Sequence, residues 1–327
     1  MNLKRFLPLI GIIALLILLY NFDFSSFLSV IDQIPFFYLI LSFGSVVPII
    51  LISMIEWQYL LKKQGINVSI SYSIKNILIG YFYGFITPGG IGAYTRAFYL
   101  ENESKESLEK CFSNILIFKT IDLISLFLIS LIGALVFSNI YPSLFFILFV
   151  FCLLWVIFFV FFLRKKTWNW ILNTIFRFTM LKSYQTGIST SINEIRMSLP
   201  SKKDVIWTLI ISIFGWLIRF SIFYIILKVF SIEMPYFYVI FIIAIANIIA
   251  MIPISIYGLG TRETVLISFF SIFNIPFDLI IGVCLFWYVL VWLLPSIIGF
   301  FISLFEGRKF QQKDYFFRRI KESQIKR

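Results

Sequence analysis

Two glycine-containing segments interrupt the apolar stretches of this chain, one in each half. The first covers residues 87–96 (TPGGIGAYTR) and the second covers residues 253–263 (PISIYGLGTRE). Each runs from a proline through a Gly-x-Gly to an arginine. Backbone that leaves the helical conformation inside a membrane must be buried in protein or line a water-filled cavity. Broken apolar segments in corresponding places of two halves indicate the binding site of a membrane transporter.

The composition predicts an all-α polytopic membrane protein. The chain has 327 residues, of which 60% are hydrophobic and 13% are charged, whereas soluble domains average about 45–50% apolar and about 25% charged residues. The chain has no histidine, which excludes histidine-based catalysis and histidine metal ligands. Its three cysteines have neither zinc-site nor redox CxxC spacing. We therefore expect no catalytic residue, no metal and no cofactor.

The apolar stretches predict about six full membrane spans, each near the 20 residues that a bilayer requires. These spans are residues 4–21, 35–61, 112–137, 143–163, 205–229 and 279–304. The first resembles a signal peptide, but no small-x-small cleavage site follows it, so we interpret it as an uncleaved span. Two further apolar pieces, 76–100 and 236–273, contain the glycine breaks.

Lysine and arginine predict the orientation of these spans, because cytoplasmic loops are enriched in both. Loops without lysine or arginine alternate with basic loops. The loops without either residue are 22–34, 138–142, 230–235 and 274–278. This pattern predicts a multi-pass protein of the plasma membrane with both termini in the cytoplasm. It explains the net charge of +12 as a topology and lipid-headgroup signal rather than a nucleic-acid footprint.

The same pattern makes the two broken pieces re-entrant hairpins of opposite orientation, as in an inverted repeat. Piece 76–100 would enter from the cytoplasm and piece 236–273 from outside. In a competing topology 236–256 is a full span, but 264–273 is then too short to cross back, so we reject it.

We expect a transmembrane domain over residues 1–305 and a basic cytoplasmic tail over 306–327. The segment 164–204 is the one sizeable loop. Its residues Asn169 and Asn173 share a helical face with Arg177, which suits an amphipathic helix on the cytoplasmic leaflet or one packed on other protein.

Arg96 and Arg262 are the main candidates for substrate binding, because each follows a glycine turn. A helix N-terminus with an arginine beside it is a good receptor for a phosphate group. Glycines let the backbone turn and approach a ligand closely, and those in the two breaks are Gly89, Gly90, Gly92, Gly258 and Gly260. Alternatively, each arginine only neutralises a nearby acid, such as Glu263 or Glu56 for Arg262.

Four other charged residues lie inside apolar segments, where charge is costly and usually functional or tightly paired. Lys119 and Asp122 are three residues apart and so share a helical face, which leaves both pairing and ligand binding open. Arg219 lies in mid-span and must face the interior of the bundle. Glu56 lies near the cytoplasmic end of its span, where it either extends toward the headgroups or joins a site.

Three motifs resemble the lysylphosphatidylglycerol synthase transmembrane-region family. They are GxxxGFITPGGIGxxxR at 80–96, KxxDL at 119–123 and PxxxxGLGTRE at 253–263. The resemblance implies a flippase-like helical bundle with re-entrant hairpins. The family usually has an arginine where this chain has Lys119, which weakens the expectation of a forked anion contact there. No loop has room for the family's aminoacyl-transferase domain, so the resemblance implies lipid translocation or handling rather than lipid lysylation.

The sequence therefore predicts a transporter of an anionic or polyprenyl-phosphate-linked lipid, with the headgroup held between the two hairpins. Arg96 and Arg262 would bind the phosphate, while Glu263 and Asp122 would orient or release them. A membrane-embedded lipid-modifying enzyme, or an accessory subunit of a lipid-linked glycosyltransferase, is the alternative. Membrane lipid is the expected partner, nucleic acid is not, and homo-oligomerisation is left open.

Overall fold

The computed structural model describes residues 44–87, 90–163, 199–251 and 261–307, and every regular element in these ranges is a helix. This confirms the all-helical prediction. The predicted first span 4–21 lies outside the described residues, as do most of the amphipathic segment 164–204 and nearly all of the tail 306–327. The proposed domain division and the exact number of spans stay predictions.

Eight helical elements lie between residues 46 and 250 of the described chain. They are α1 (Val46–Lys63), α2 (Ile70–Phe85), a 3₁₀ helix (Ile91–Thr95), α3 (Arg96–Ser104), α4 (Leu108–Val136), α5 (Pro142–Leu163), α6 (Lys202–Val229) and α7 (Tyr236–Ala250). The remainder comprises α8 (Thr261–Phe270), a 3₁₀ turn (Ser271–Phe273), α9 (Phe277–Tyr288), a π-helical turn (Val289–Leu293) and α10 (294–307).

Serine caps start three of these helices. The side-chain oxygens of Ser69, Ser107 and Ser201 accept backbone N–H groups in the first turns of α2, α4 and α6, at 3.1, 3.3 and 3.2 Å. Each cap satisfies one of the N–H groups that a helix start leaves without a partner. These caps fix where the long apolar helices begin.

Among the described residues, three helices are long and apolar enough to cross a bilayer, at 28 or 29 residues each. They are α4, α6 and the continuous helix Leu279–Gly307, which α9, the π turn and α10 form together. Large apolar side chains face outward, including Phe146 and Phe237, both 69% exposed. Such a surface suits lipid rather than water, and the chain is a membrane protein.

Helix α4 lies at the centre and packs against α3, α5, α6 and α7. Two glycines allow especially close helix packing. A Cβ at Gly133 of α4 would lie 2.8 Å from the Cβ of Phe241 on α7, and a Cβ at Gly299 of α10 would collide with the backbone carbonyl of Leu78 on α2. The larger buried apolar cluster takes side chains from α1, α2, α4, α6, α7, α8 and α9.

Both broken pieces have a helix on each side of the break. Piece 76–100 contains the end of α2, the 3₁₀ helix and the start of α3, while piece 236–273 contains α7 and α8. The second break itself, residues 252–260, lies outside the described residues.

Candidate functional site

The first break folds back onto the end of α2. Gly90 has a φ of 70°, a left-handed conformation that glycine adopts without steric cost. The hydroxyl of Thr87 donates to the carbonyl of Tyr83 at 2.9 Å and accepts the N–H of Gly92 at 2.7 Å. A Cβ at Gly92 would collide with that same carbonyl. This tight turn sets the start of α3, and therefore the position of Arg96.

Arg96 is the first residue of α3 and is 3% exposed. Its Nε donates to Asn76 Oδ1 at 2.9 Å, and Asn76 Nδ2 donates to the Arg96 carbonyl at 3.2 Å. The guanidinium lies over the ring of Trp57 at 4.0 Å and that of Phe118 at 5.5 Å. Gly80 makes room for it, since a Cβ there would lie 3.0 Å from Arg96 Cδ.

One nitrogen of this guanidinium is unsatisfied among the described residues. Within the described ranges, the buried Nη2 atom of Arg96 has no hydrogen-bond partner and no carboxylate forms an ion pair with the side chain. An arginine that only neutralises an acid would form an ion pair with it, and Arg96 forms none among the described residues, although Glu56 interacts with it.

A second arginine and a lysine share one carboxylate nearby. Asp122 Oδ1 lies 3.5 Å from Arg219 Nη1, and Asp122 Oδ2 lies 4.0 Å from Lys119 Nζ. The Ser212 hydroxyl donates to Asp122 Oδ1 at 3.5 Å, and Arg219 Nη2 donates to Ser53 Oγ at 2.8 Å. Arg219 is 7% exposed and faces the interior, as predicted from its position in mid-span. These contacts join α1, α4 and α6.

Glu56 of α1 completes this charged group. Its side chain is fully buried, so it does not extend toward the headgroups. A Cβ placed on Gly215 of α6 would lie 3.9 Å from Glu56 Oε2 and 3.7 Å from Arg219 Nη1. The carboxylate thus lies on the same side of α6 as the Arg219 guanidinium.

Electrostatic interactions make these five residues one cluster, which we call the charged cluster. Lys119 interacts with Arg96, Arg219, Glu56 and Asp122, and Arg96 also interacts with Glu56. The cluster contains three cationic and two acidic side chains. The Lys119 side chain is 33% exposed, against 8% for Arg219 and 11% for Asp122, so the cluster reaches the surface at Lys119.

Arg262 lies in a separate aromatic environment. It is 3% exposed, and its guanidinium lies 5.2 Å from the Trp287 ring and 5.5 Å from the Trp292 ring. Arg262 and Glu263 both interact electrostatically with Tyr288 of α9. The structure thus places Arg96 and Arg262 in different clusters. Gly89, Gly258 and Gly260 lie outside the described residues.

Tyr81 and Trp292 connect the two environments. Their ring centroids lie 5.8 Å apart, and Tyr81 also interacts with Arg219 of the charged cluster and with Ser53. Since Trp292 contacts Arg262, a continuous row of side chains runs from one buried arginine environment to the other.

The chain matches the model of the Lysylphosphatidylglycerol synthase TM region over residues 6–299. It belongs to that family. The UPF0104 membrane protein MJ1595 of Methanocaldococcus jannaschii is 26% identical to it over 293 residues, which cover 84% of this chain and 87% of that protein. The resemblance drawn from the three motifs is confirmed.

Sequence reasoning missed several residues that hold the side chains of this site in place. Asn76, Trp57 and Ser53 contact the buried arginines directly. Asn76 was detectable as an amide in an apolar segment. Trp57 was not, because the many aromatic residues of this chain make one buried tryptophan indistinguishable from those that face lipid.

Proposed function

We propose that this protein is a flippase-like lipid transporter that binds the phosphate of an anionic or polyprenyl-phosphate-linked lipid at Arg96. The supporting observation is the Arg96 guanidinium, buried with an Nη2 atom that has no partner among the described residues. Glu56 interacts with Arg96 but forms no ion pair with it, and a buried charge that lacks a paired counter-charge costs several kcal/mol. An incoming phosphate would remove that cost.

The surroundings of Arg96 suit a phosphate. Trp57 and Phe118 flank the guanidinium and hold its plane, and a planar fork of N–H donors matches phosphate oxygens. Lys119 adds a partly exposed positive charge at the open side of the charged cluster. The headgroup would enter there while the lipid tails stay in the bilayer.

We further propose that both broken pieces are re-entrant hairpins. Tyr72 near the start of α2 interacts with Glu103 near the end of α3, which supports entry and exit at the same face of the first piece. In the second piece, the rings of Tyr238 near the start of α7 and Phe273 after α8 lie 5.6 Å apart. The Arg262 and Glu263 environment would then be the counterpart site reached from the other side of the membrane.

Ion pairs support the orientation inferred from the basic loops. Lys63 at the end of α1 pairs with Asp204 at the start of α6 at 3.2 Å, and Lys75 near the start of α2 pairs with Glu306 near the end of α10 at 3.7 Å. All four residues belong to the end of the bundle that we assign to the cytoplasm. The plasma membrane is the proposed location.

Single-cysteine labelling in sealed cells checks this topology. We expect Glu103→Cys and Lys203→Cys to react only after the cells are permeabilised, and Glu233→Cys to react from outside, with the three native cysteines replaced by alanine. Glu103 and Lys203 are exposed, and the Glu233 side chain is 91% exposed, so access should not limit the reaction. Reaction of Glu103→Cys from outside would overturn the first hairpin.

Replacing Arg96 checks the phosphate site. We expect Arg96→Gln to weaken binding of phosphatidylglycerol by roughly 10- to 100-fold, because a charge-assisted hydrogen bond contributes about 1.5–3 kcal/mol. Arg96→Lys should bind with intermediate affinity, because it keeps the charge but loses the planar pair of N–H donors that can contact two phosphate oxygens. Binding is measured on purified protein in nanodiscs, with phosphatidylcholine as the neutral lipid.

Lys228→Gln is the matched control, because Lys228 is 43% exposed and pairs with Glu233 away from the charged cluster. It should leave the preference for phosphatidylglycerol unchanged. A folded Arg96→Gln protein with undiminished preference would eliminate the phosphate-receptor role.

A further inference from the structure

Glu56 is a buried acid that the binding of a phosphate at Arg96 does not itself require. It is 0% exposed, and neither carboxylate oxygen meets hydrogen-bond geometry with a group in the parts of the chain that the structure describes, although the Ser212 hydroxyl lies close enough to interact with it. A buried carboxylate is stable in its ionised form only when paired or hydrogen-bonded. Glu56 therefore differs from a structural acid, which would be held by an ion pair or by hydrogen bonds.

Asp122 provides the contrast within the same cluster. It has Arg219 at 3.5 Å, Lys119 at 4.0 Å and the hydroxyl of Ser212 at 3.5 Å. These partners stabilise its negative charge. Of the two acids in the charged cluster, Glu56 is the one that forms no ion pair within 4.0 Å among the described residues.

Charged and polar groups from three neighbouring helices surround Glu56. They are Arg96 of α3, Lys119 and Asp122 of α4, and Ser212 and Arg219 of α6. Tyr81 of α2 lies beside Arg219 and Ser53. An anion that enters this space adds negative charge next to Glu56 and competes with it for the same cations.

We propose that Glu56 is the proton-binding group of the transporter, which takes up one proton when an anionic headgroup binds and releases it when the headgroup leaves. The inference rests on the proposed function. The proton comes from water that reaches the cluster at Lys119, and it adds to the Glu56 carboxylate to give a neutral carboxylic acid. No other bond changes.

Proton uptake follows from the charge balance of the cluster. A headgroup that binds Arg96 and Lys119 repels the ionised Glu56 carboxylate, and protonation removes that repulsion. Headgroup and proton then cross together. A transmembrane proton gradient would therefore drive net lipid movement in the direction of proton flow.

Calorimetric titration of the purified full chain with short-chain phosphatidylglycerol tests this directly. The phosphodiester keeps one negative charge across the range, so its own titration does not contribute. Heats measured in two buffers of different ionisation enthalpy give the number of protons taken up. We expect uptake approaching one proton per lipid, and affinity that falls by up to about tenfold per pH unit as the pH rises through the range where Glu56 ionises.

Glu56→Gln should bind phosphatidylglycerol with no proton uptake and with affinity independent of pH, because the amide is nearly isosteric and cannot titrate. Glu233→Gln is the matched control, because the Glu233 side chain is 91% exposed and pairs with Lys228 outside the cluster. It should keep the proton uptake of the unmodified protein.

The outcomes separate the two proposals. Binding without proton uptake at any point between about pH 6 and pH 9.5, the range that covers buried glutamates, overturns the role of Glu56 and leaves the lipid site standing. Undiminished proton uptake by the Glu56→Gln protein also overturns the role of Glu56 and leaves the lipid site standing. No binding of phosphatidylglycerol by the unmodified protein at any of these pH values overturns both the lipid site and the proton coupling.

Discussion

We expect Asp122→Asn to destabilise the protein by about 3–5 kcal/mol, because removing one partner of a buried ion pair strands the other. Asp122 is the carboxylate that Arg219 and Lys119 share, at 3.5 and 4.0 Å. It also links α4 to α6, since the Ser212 hydroxyl donates to it. Thermal unfolding of the purified protein in detergent measures the loss.

Two further variants make this result specific. The double change Asp122→Asn with Arg219→Gln should recover part of the stability, because it removes a buried cation along with the acid. Asp204→Asn should cost far less, because its partner Lys63 is 45% exposed and water screens that pair. Equal melting temperatures for Asp122→Asn and Asp204→Asn would contradict a central role of the Asp122 pair.

Trp57→Ala should also cost about 3–5 kcal/mol, as is typical of emptying a fully buried tryptophan site. Trp57 is 0% exposed, and its ring lies 4.0 Å from the Arg96 guanidinium. Its Nε1 donates to Asn114 Oδ1 at 2.7 Å, and Asn114 Nδ2 donates to Gln64 Oε1 at 2.5 Å. The change therefore removes core volume, a wall of the arginine site and one hydrogen bond. Melting temperature and phosphatidylglycerol affinity should fall together.

Trp57→Phe should retain most of the stability and of the lipid affinity, because it keeps an aromatic wall and loses only the N–H. Trp207→Ala is the control for removing a tryptophan in general, since Trp207 is 49% exposed. If Trp57→Ala lowered stability no more than Trp207→Ala, the stacking on Arg96 would contribute nothing measurable.

The breaks and the buried cations could be predicted from the sequence, because their signals are local. The glycines and the proline predict the break in which Gly90 is left-handed. The three-residue spacing of Lys119 and Asp122 places both on one face of α4. Arg219 had to face inward, because a mid-span arginine cannot face lipid without a large cost. Each inference needed only a few neighbouring residues.

The partners of these residues could not be predicted, because they come from distant parts of the chain. Arg219 and Asp122 meet only because α4 and α6 pack together, and Asn76 reaches Arg96 across the first break. A helix that is apolar on all sides has no polar face to fix its rotation. For the same reason the position of Glu56 stayed open between the headgroup region and the interior.

The π turn Val289–Leu293 fits one extra residue into the last long helix, and each residue advances a helix by about 100°. Before it, Trp287 meets Phe223 at 5.5 Å and Arg262 at 5.2 Å. After it, Ser296 donates to the Tyr81 carbonyl at 3.2 Å and Gly299 admits the Leu78 carbonyl. This single helix therefore has two contact faces that point in different directions. The face before the π turn contacts Arg262 of the second broken piece, and the face after it contacts the first broken piece. The added residue sets the angle between these two faces. A rotation of this helix would therefore change its contacts with both broken pieces at once.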